Sequence, residues 1–115
     1  MTDYEPGDVI LVPFGFAGQP GGWKRPALVV SSTHYNQETG ELVIAQITSR
    51  RASPPRVGDY LIEAWRESNL PHPALVRARL ATINASQVLG KLGKLPDAEF
   101  QAAQAELQSV FGQGD

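Results

Sequence analysis

The side chains able to do chemistry in this sequence are arginines, hydroxyls and imidazoles, and they gather in a few places. Arg25 stands where a glycine-rich stretch, Gly15 to Gly22, gives way to the apolar run ALVVSS. That junction is a good place to hold a charge at the edge of a cleft. A guanidinium fixed there grips two phosphate oxygens in a forked geometry that lysine cannot copy. It would act by stabilising developing charge, since its own proton is held too tightly to be given away. The same residue reads equally as half of a rim salt bridge, with Asp59 as the partner. Thr48 and Ser49 close the segment ELVIAQITS, and a hydroxyl at either place can donate to a phosphate or orient it. Neither is an adequate base unaided, and Thr48 also reads as a β-branched strand residue capped by a turn. His72 lies in the loop LPHP. Imidazole is the side chain that carries protons near neutral pH, although the flanking prolines equally suit a rigid surface loop. His34, beside Tyr35 and Asn36, reads as a surface or capping residue. These histidines have no ligand spacing, so the sequence predicts no metal site.

Around these residues lies a candidate track for phosphates. The stretch TSRRASPPRVG carries Arg50, Arg51 and Arg56 with no acid, while Lys24, Arg77 and Arg79 extend it. Such contacts position a nucleic acid and do not read its bases. The stretch reads equally as a solubilising loop. Arg77 and Arg79 alternate, so on a regular strand they point the same way, toward phosphate or toward an acidic partner. Base reading needs stacking surfaces, and the candidates are Trp23, Phe16 and Trp65; Trp23 stands closest to Arg25, while Trp65 reads equally as core or dimer contact.

The formal charge is −2, which argues against coating nucleic acid by bulk electrostatics. Cysteine is absent, which excludes disulfides, thiolate metal sites and a thiol nucleophile. The start MTDYEPGD lacks the basic-then-apolar order of a signal peptide, and no apolar run reaches bilayer-crossing length. A cytoplasmic protein without membrane contact is expected.

The elements that must position these residues are mostly strands. A chain of 115 residues suits a single domain over residues 1–115. Gly7 and Asp8 predict a turn before a strand from Val9 to Phe14, and Pro26 opens a central strand whose start alone tolerates it. The stretch from His34 to Gly40 reads as a long hairpin connection before a strand from Glu41 to Ile47. Gly58 and Asp59 repeat the Gly-Asp turn ahead of YLIEAW. A further extended segment runs from Ala74 to Ile83, and Asn84 caps a short helix from Ala85 to Leu89 that Gly90 and Gly93 break. Pro96, Asp97 and Glu99 suit a helix start, and Phe100, Ala103, Leu107 and Val110 recur on one helical face. The expected fold is mainly β, a small, strongly curved sheet or partly closed barrel with a C-terminal helix packed on it.

Read in order, the segments GDVILVPF, KRPALVVSS, ELVIAQITSR and LPHPALVRARLATINASQVLGKLGKL resemble the PemK/MazF family of toxins. The likeness runs across roughly residues 6–110 in order and spacing. It implies an SH3-like small β-barrel with a short helix and a C-terminal α-helix, usually a homodimer. It implies a metal-independent, sequence-selective endoribonuclease that degrades messenger or other single-stranded RNA by 2′-hydroxyl attack, leaving 2′,3′-cyclic phosphate and 5′-hydroxyl ends. No cofactor is implied. A cognate antitoxin would silence it, and operator DNA would be bound only by the toxin–antitoxin complex. The family's conserved arginine and strand-terminal threonine fall on Arg25 and Thr48, with Ser49 the substitute if the register slips by one. His72 is then the candidate proton carrier, and Trp23, Lys24, Arg50, Arg51, Arg56, Arg77 and Arg79 the candidate RNA contacts. This chain departs from the family pattern at Ala74, where a serine is frequent, and in GQPGGWKRP, which lacks the usual acid; a phosphate contact and the seating of Arg25 are the properties affected. Two other readings stand beside the enzyme: a non-catalytic, gyrase-poison-like protein binder, and a decayed toxin kept as an autorepressor with its antitoxin. Gyrase poisons carry a C-terminal tryptophan determinant, whereas this chain ends GQGD after a phenylalanine.

Overall fold

Strands that are apolar at every position, not at every second one, need cover on both faces, and the fold supplies it. The structure is a computed structural model that describes residues 3–13, 24–51 and 54–112. Its elements are β1 (Asp8–Pro13), β2 (Lys24–Val29), α1 (Thr33–Thr39), β3 (Glu41–Ser49), β4 (Tyr60–Leu61), β5 (Ala74–Asn84), a 3-10 turn (Ala85–Gln87), β6 (Gly90–Lys94) and α2 (Asp97–Gln108). The strands form a 6-stranded antiparallel sheet in the order β4-β5-β3-β2-β1-β6. Val9, Leu28, Ala45, Ile47 and Val76 point to one face, where Ala103 and Leu107 of α2 join them with Ile62, Leu70 and Leu95. Ile10, Val12, Ala27, Val29, Leu42 and Ile44 point to the other. That second face is covered by the sheet's own far end, through Ala81 and Ile83 of β5 and then Ala85 and Val88.

The curl comes from irregularities in the ladders. Between Ala45 and Gln46 of β3 the partner on β5 jumps from Leu80 to Arg77, and β1 shifts register against β6 between Val9 and Ile10. Bulges of this kind increase local twist and bend a strand. The end strands β4 and β6 do not pair among the described residues, so the closed SH3-like barrel is corrected to an open, curled half-barrel.

The repeated Gly-Asp turn has the same build twice. Gly7 and Gly58 take φ of 96° and 89°, the left-handed region that side chains disfavour. The carboxylates of Asp8 and Asp59 then accept the N–H of Glu5 (2.9 Å) and Arg56 (2.8 Å). Each Asp meets a base, Lys91 at 3.1 Å and Arg77 at 2.7 Å.

Two segments differ from expectation. The His34–Gly40 stretch is mostly helix, α1: Ser32 caps its start by accepting from Tyr35 N–H, and Gly40 ends it in the left-handed conformation at φ 70°. Asn36, buried on α1, bonds Ser31 and the Tyr4 carbonyl. The helix expected from Ala85 to Leu89 is one 3-10 turn with a capping box of Asn84 and Gln87, and Gly90 and Gly93 belong to strand β6. The stripe on α2 buries Ala103 and Leu107 and half-buries Phe100, but the helix ends at Gln108 and Val110 is exposed.

Candidate nucleic-acid cleft

Pro26 decides where the site lies. The N–H of Val30 donates to Val43 of β3 at 2.9 Å, so by strand alternation the even-numbered residues of β2 turn their amides toward β3. Pro26 falls in that set and has no N–H to give. Pairing between β2 and β3 stops at Ala27 opposite Gln46, while β3 runs on against β5 through Ile47, Thr48 and Ser49. The strands part there and leave a cleft of about 330 Å³. Lys24, Arg25 and Pro26 form one side, Ile47, Thr48 and Ser49 the next, and Leu70, Pro71, His72 and Ala74 close it.

Continuing the β2–β3 register past its last pair sets Arg25 opposite Thr48 on the same face. The cleft thus holds a half-buried arginine and a threonine that is 9% exposed. Ser49 is half-buried and its Oγ accepts the Arg51 N–H at 3.2 Å. Lys24 and His72 are exposed. Ile47, Leu70 and Ala74 give an apolar floor in which charge interactions strengthen. No carboxylate is among the described lining residues, so the donor set suits an anion and not a divalent cation. Ala74 presents a methyl group where a hydroxyl would have added a phosphate donor.

The wall carrying His72 is held from outside the cleft. Glu99, in the first turn of α2, accepts the N–H groups of Glu63 (2.7 Å) and Ala64 (2.9 Å) and the Tyr60 hydroxyl (2.8 Å). Burial, then the bond to Glu99, pushes the Tyr60 phenol well above its ordinary pKa, so it stays a donor. Asn69, at φ 61°, donates to the Leu92 carbonyl of β6 at 2.6 Å, and Leu70 N–H donates to Trp65 at 2.9 Å. Gly93 lies so close that an added Cβ would stand 2.9 Å from the Ser68 carbonyl oxygen.

The expected basic track is divided by the structure. Arg50, Arg51 and Arg56 are exposed on the loop after Ser49, and the Arg50 N–H is tied to the Pro73 carbonyl at 3.0 Å. Arg79 is exposed as well. Arg77 does not share that exposure. Its side chain is 7% exposed and pairs with Asp59, itself 2% exposed, so Arg77, expected among the RNA contacts, is engaged inside the protein. Asp59, considered as a partner for Arg25, is engaged by Arg77. Trp65 is half-buried against the first core, with the Arg66 guanidinium 4.9 Å from its ring centre. His34 is exposed on α1 and does not line the cleft. Trp23 and Phe16 lie outside the described residues. In the sequence the doubled Gly-Asp turn is the signal for Asp59, and nothing there marks the Pro54 carbonyl as its companion on Arg77.

The family described as PemK-like, MazF-like toxin of type II toxin–antitoxin system matches residues 5–111. No curated protein matches by sequence. Among solved structures, the chain is similar to an endoribonuclease from Mycobacterial species, with TM-score 0.76 and 16% identity over 100% of this chain and 97% of that one. It is also similar to MazF from Deinococcus radiodurans, with TM-score 0.72 and 24% identity over 96% and 100%. One of the MazE–MazF structures from the same organism gives TM-score 0.73 and 19% identity over 99% and 100%. At these identities the likeness is one of fold. Among the described residues, no helix is long and apolar enough to cross a membrane.

Proposed function

The chain belongs to the PemK-like, MazF-like toxins of type II toxin–antitoxin systems, and from that premise we propose that it cuts single-stranded RNA in the cleft opened at Pro26. It is an endoribonuclease toxin held in check by a cognate antitoxin, and its place of action is the cytoplasm. The observation that supports the cleft assignment is that Arg25 and Thr48 both line the cleft at the point where pairing between β2 and β3 ends.

The chemistry follows from what lines the cleft. The 2′-hydroxyl next to the scissile phosphate loses its proton and its oxygen bonds phosphorus. Negative charge grows on the non-bridging oxygens, where the Arg25 guanidinium grips two of them. Thr48 Oγ1 donates to the same phosphate, with Ser49 beside it. The P–O5′ bond breaks and O5′ takes a proton, leaving a 2′,3′-cyclic phosphate and a 5′-hydroxyl. His72 is the lining group able to accept and return a proton near neutrality. Lys24, Arg50, Arg51 and Arg56 hold the flanking phosphates.

Solved relatives include an endoribonuclease in complex with its cognate antitoxin and MazE–MazF assemblies. An antitoxin would find exposed apolar residues in Leu80, which follows Arg79 on β5, and in Leu89. Homodimerisation, and operator binding by the toxin–antitoxin complex, belong to the same reading.

The test incubates purified protein with mixed-sequence RNA in EDTA and maps the ends, with Arg25→Ala and Thr48→Ala in parallel. Cyclic phosphate ends that both substitutions abolish are expected. Intact RNA with antitoxin-free wild type overturns the enzyme reading and leaves a protein-binding toxin.

A further inference from the structure

Arg77 is spent inside the protein, and what it holds is the arginine-bearing loop. Extending the β4–β5 register places Asp59 opposite Arg77, on the strand position that faces Gln46 of β3, next in line to Leu75 and Thr48. Arg77 donates from Nε to Asp59 Oδ1 at 3.1 Å, from Nη2 to Oδ2 at 2.7 Å, and from Nη2 to the Pro54 carbonyl at 2.9 Å. Asp59 in turn accepts the Arg56 N–H. The near end of the loop is tied by Arg50 N–H to Pro73 and by Arg51 N–H to Ser49 Oγ.

Burying an ion pair is a poor way to gain stability, since apolar residues of similar volume often do as well or better. The pair offers direction instead. Pro54 and Pro55 have no N–H groups to enter a ladder, and at Pro54 it is the Arg77 side chain that fastens the loop. We infer that the Asp59–Arg77 pair is a positioning device for RNA binding, fixing the loop after Thr48 so that Arg50, Arg51 and Arg56 meet the phosphates that flank the cleft. This rests on the ribonuclease reading only in naming RNA as what the arginines meet.

The experiment compares Asp59→Asn and Arg77→Lys with wild type, and with Glu5→Gln, which breaks the exposed Glu5–Lys94 pair at 2.9 Å. Fastening is read without RNA: the loop arginines are themselves trypsin sites, and both variants should be cut there faster while Glu5→Gln is not. The consequence is read on single-stranded RNA that is 2′-O-methylated and cannot be cut, and by KM and kcat on cleavable RNA. Binding should weaken and KM rise by roughly tenfold with kcat little changed, a loss of positioning and not of chemistry. Arg51→Ala should add little in the Asp59→Asn background, because coupled residues are non-additive. Unchanged trypsin sensitivity, or unchanged affinity in a folded Asp59→Asn protein, overturns the proposal. If wild type binds the methylated RNA but cuts none of the cleavable RNA, the enzyme reading falls and this one stands.

Discussion

At the scale of single residues, the site needs charge in a fixed place, a donor beside it and a proton carrier. Arg25→Ala should lower kcat by about 10²–10³, the usual cost of removing one preorganised oxyanion donor, and Arg25→Lys should not restore it, because a point charge cannot form the fork. Thr48→Ser should keep most activity and Thr48→Ala should lose it; equal loss in both would mean that the methyl group, packed at this 9% exposed position, matters and the hydroxyl does not. His72 is tested by substitution: His72→Ala should lower kcat with KM little changed, the signature of a lost proton carrier and not of lost binding, and an unchanged kcat would remove His72 from the mechanism. Arg25, Thr48 and His72 could be named from residue type and family likeness. The burial of Arg77 could not, because it rests on a pair with Asp59 from the short strand-edge turn before β4, which no residue spacing announces.

At the scale of elements, the cleft exists because a ladder fails. Pro26→Val would return an N–H facing β3, opposite Ile47 in the continued register. The strands should then zip one step further, raising thermal stability while narrowing the cleft and lowering activity; a more stable variant of full activity would show that Pro26 does not hold the cleft open. The opposite wall depends on the loop pinned between β6 and α2. Gly93→Ala forces a Cβ to 2.9 Å from the Ser68 carbonyl oxygen, and overpacking of this kind costs about 1–3 kcal/mol. Denaturant unfolding should show that loss, accompanied by reduced activity through the displaced Leu70–His72 wall. Strands were legible because their apolar runs are long. α1 was not: its residues are turn formers by composition, and the Ser32 and Gly40 caps that make them a helix act at its ends.

At the scale of the molecule, sequence patterning conveyed a β-rich domain with a C-terminal helix but not whether the sheet closes, since closure depends on bulges and end strands as short as Tyr60–Leu61. Stability against pH should be a plateau with two shoulders. Burial alone would raise the Asp59 pKa, but the Arg77 hydrogen bond, the Arg56 N–H and their charges outweigh it and hold it below its ordinary value. A depressed folded-state pKa gives stability that is present above the ordinary carboxylate range and lost as pH falls through the folded value. Tyr60, raised by burial and by Glu99, gives stability present below about pH 10 and lost above it. Asp59→Asn should flatten the acid shoulder and Tyr60→Phe the alkaline one. Charge is segregated as well. The chain is net −2, α2 carries Asp97, Glu99 and Glu106 with no base, and Lys24, Arg25, Arg50, Arg51 and Arg56 stand at the cleft and its rim. RNA should therefore bind through local phosphate contacts and not through bulk attraction. With about three to five contacts, log affinity should fall against log salt with a slope of about −2 to −3.5, each lost arginine removing about 0.7. A slope near zero would mean that the rim arginines point at something other than phosphate, and the acidic segment of a partner protein would then be the better occupant of that surface.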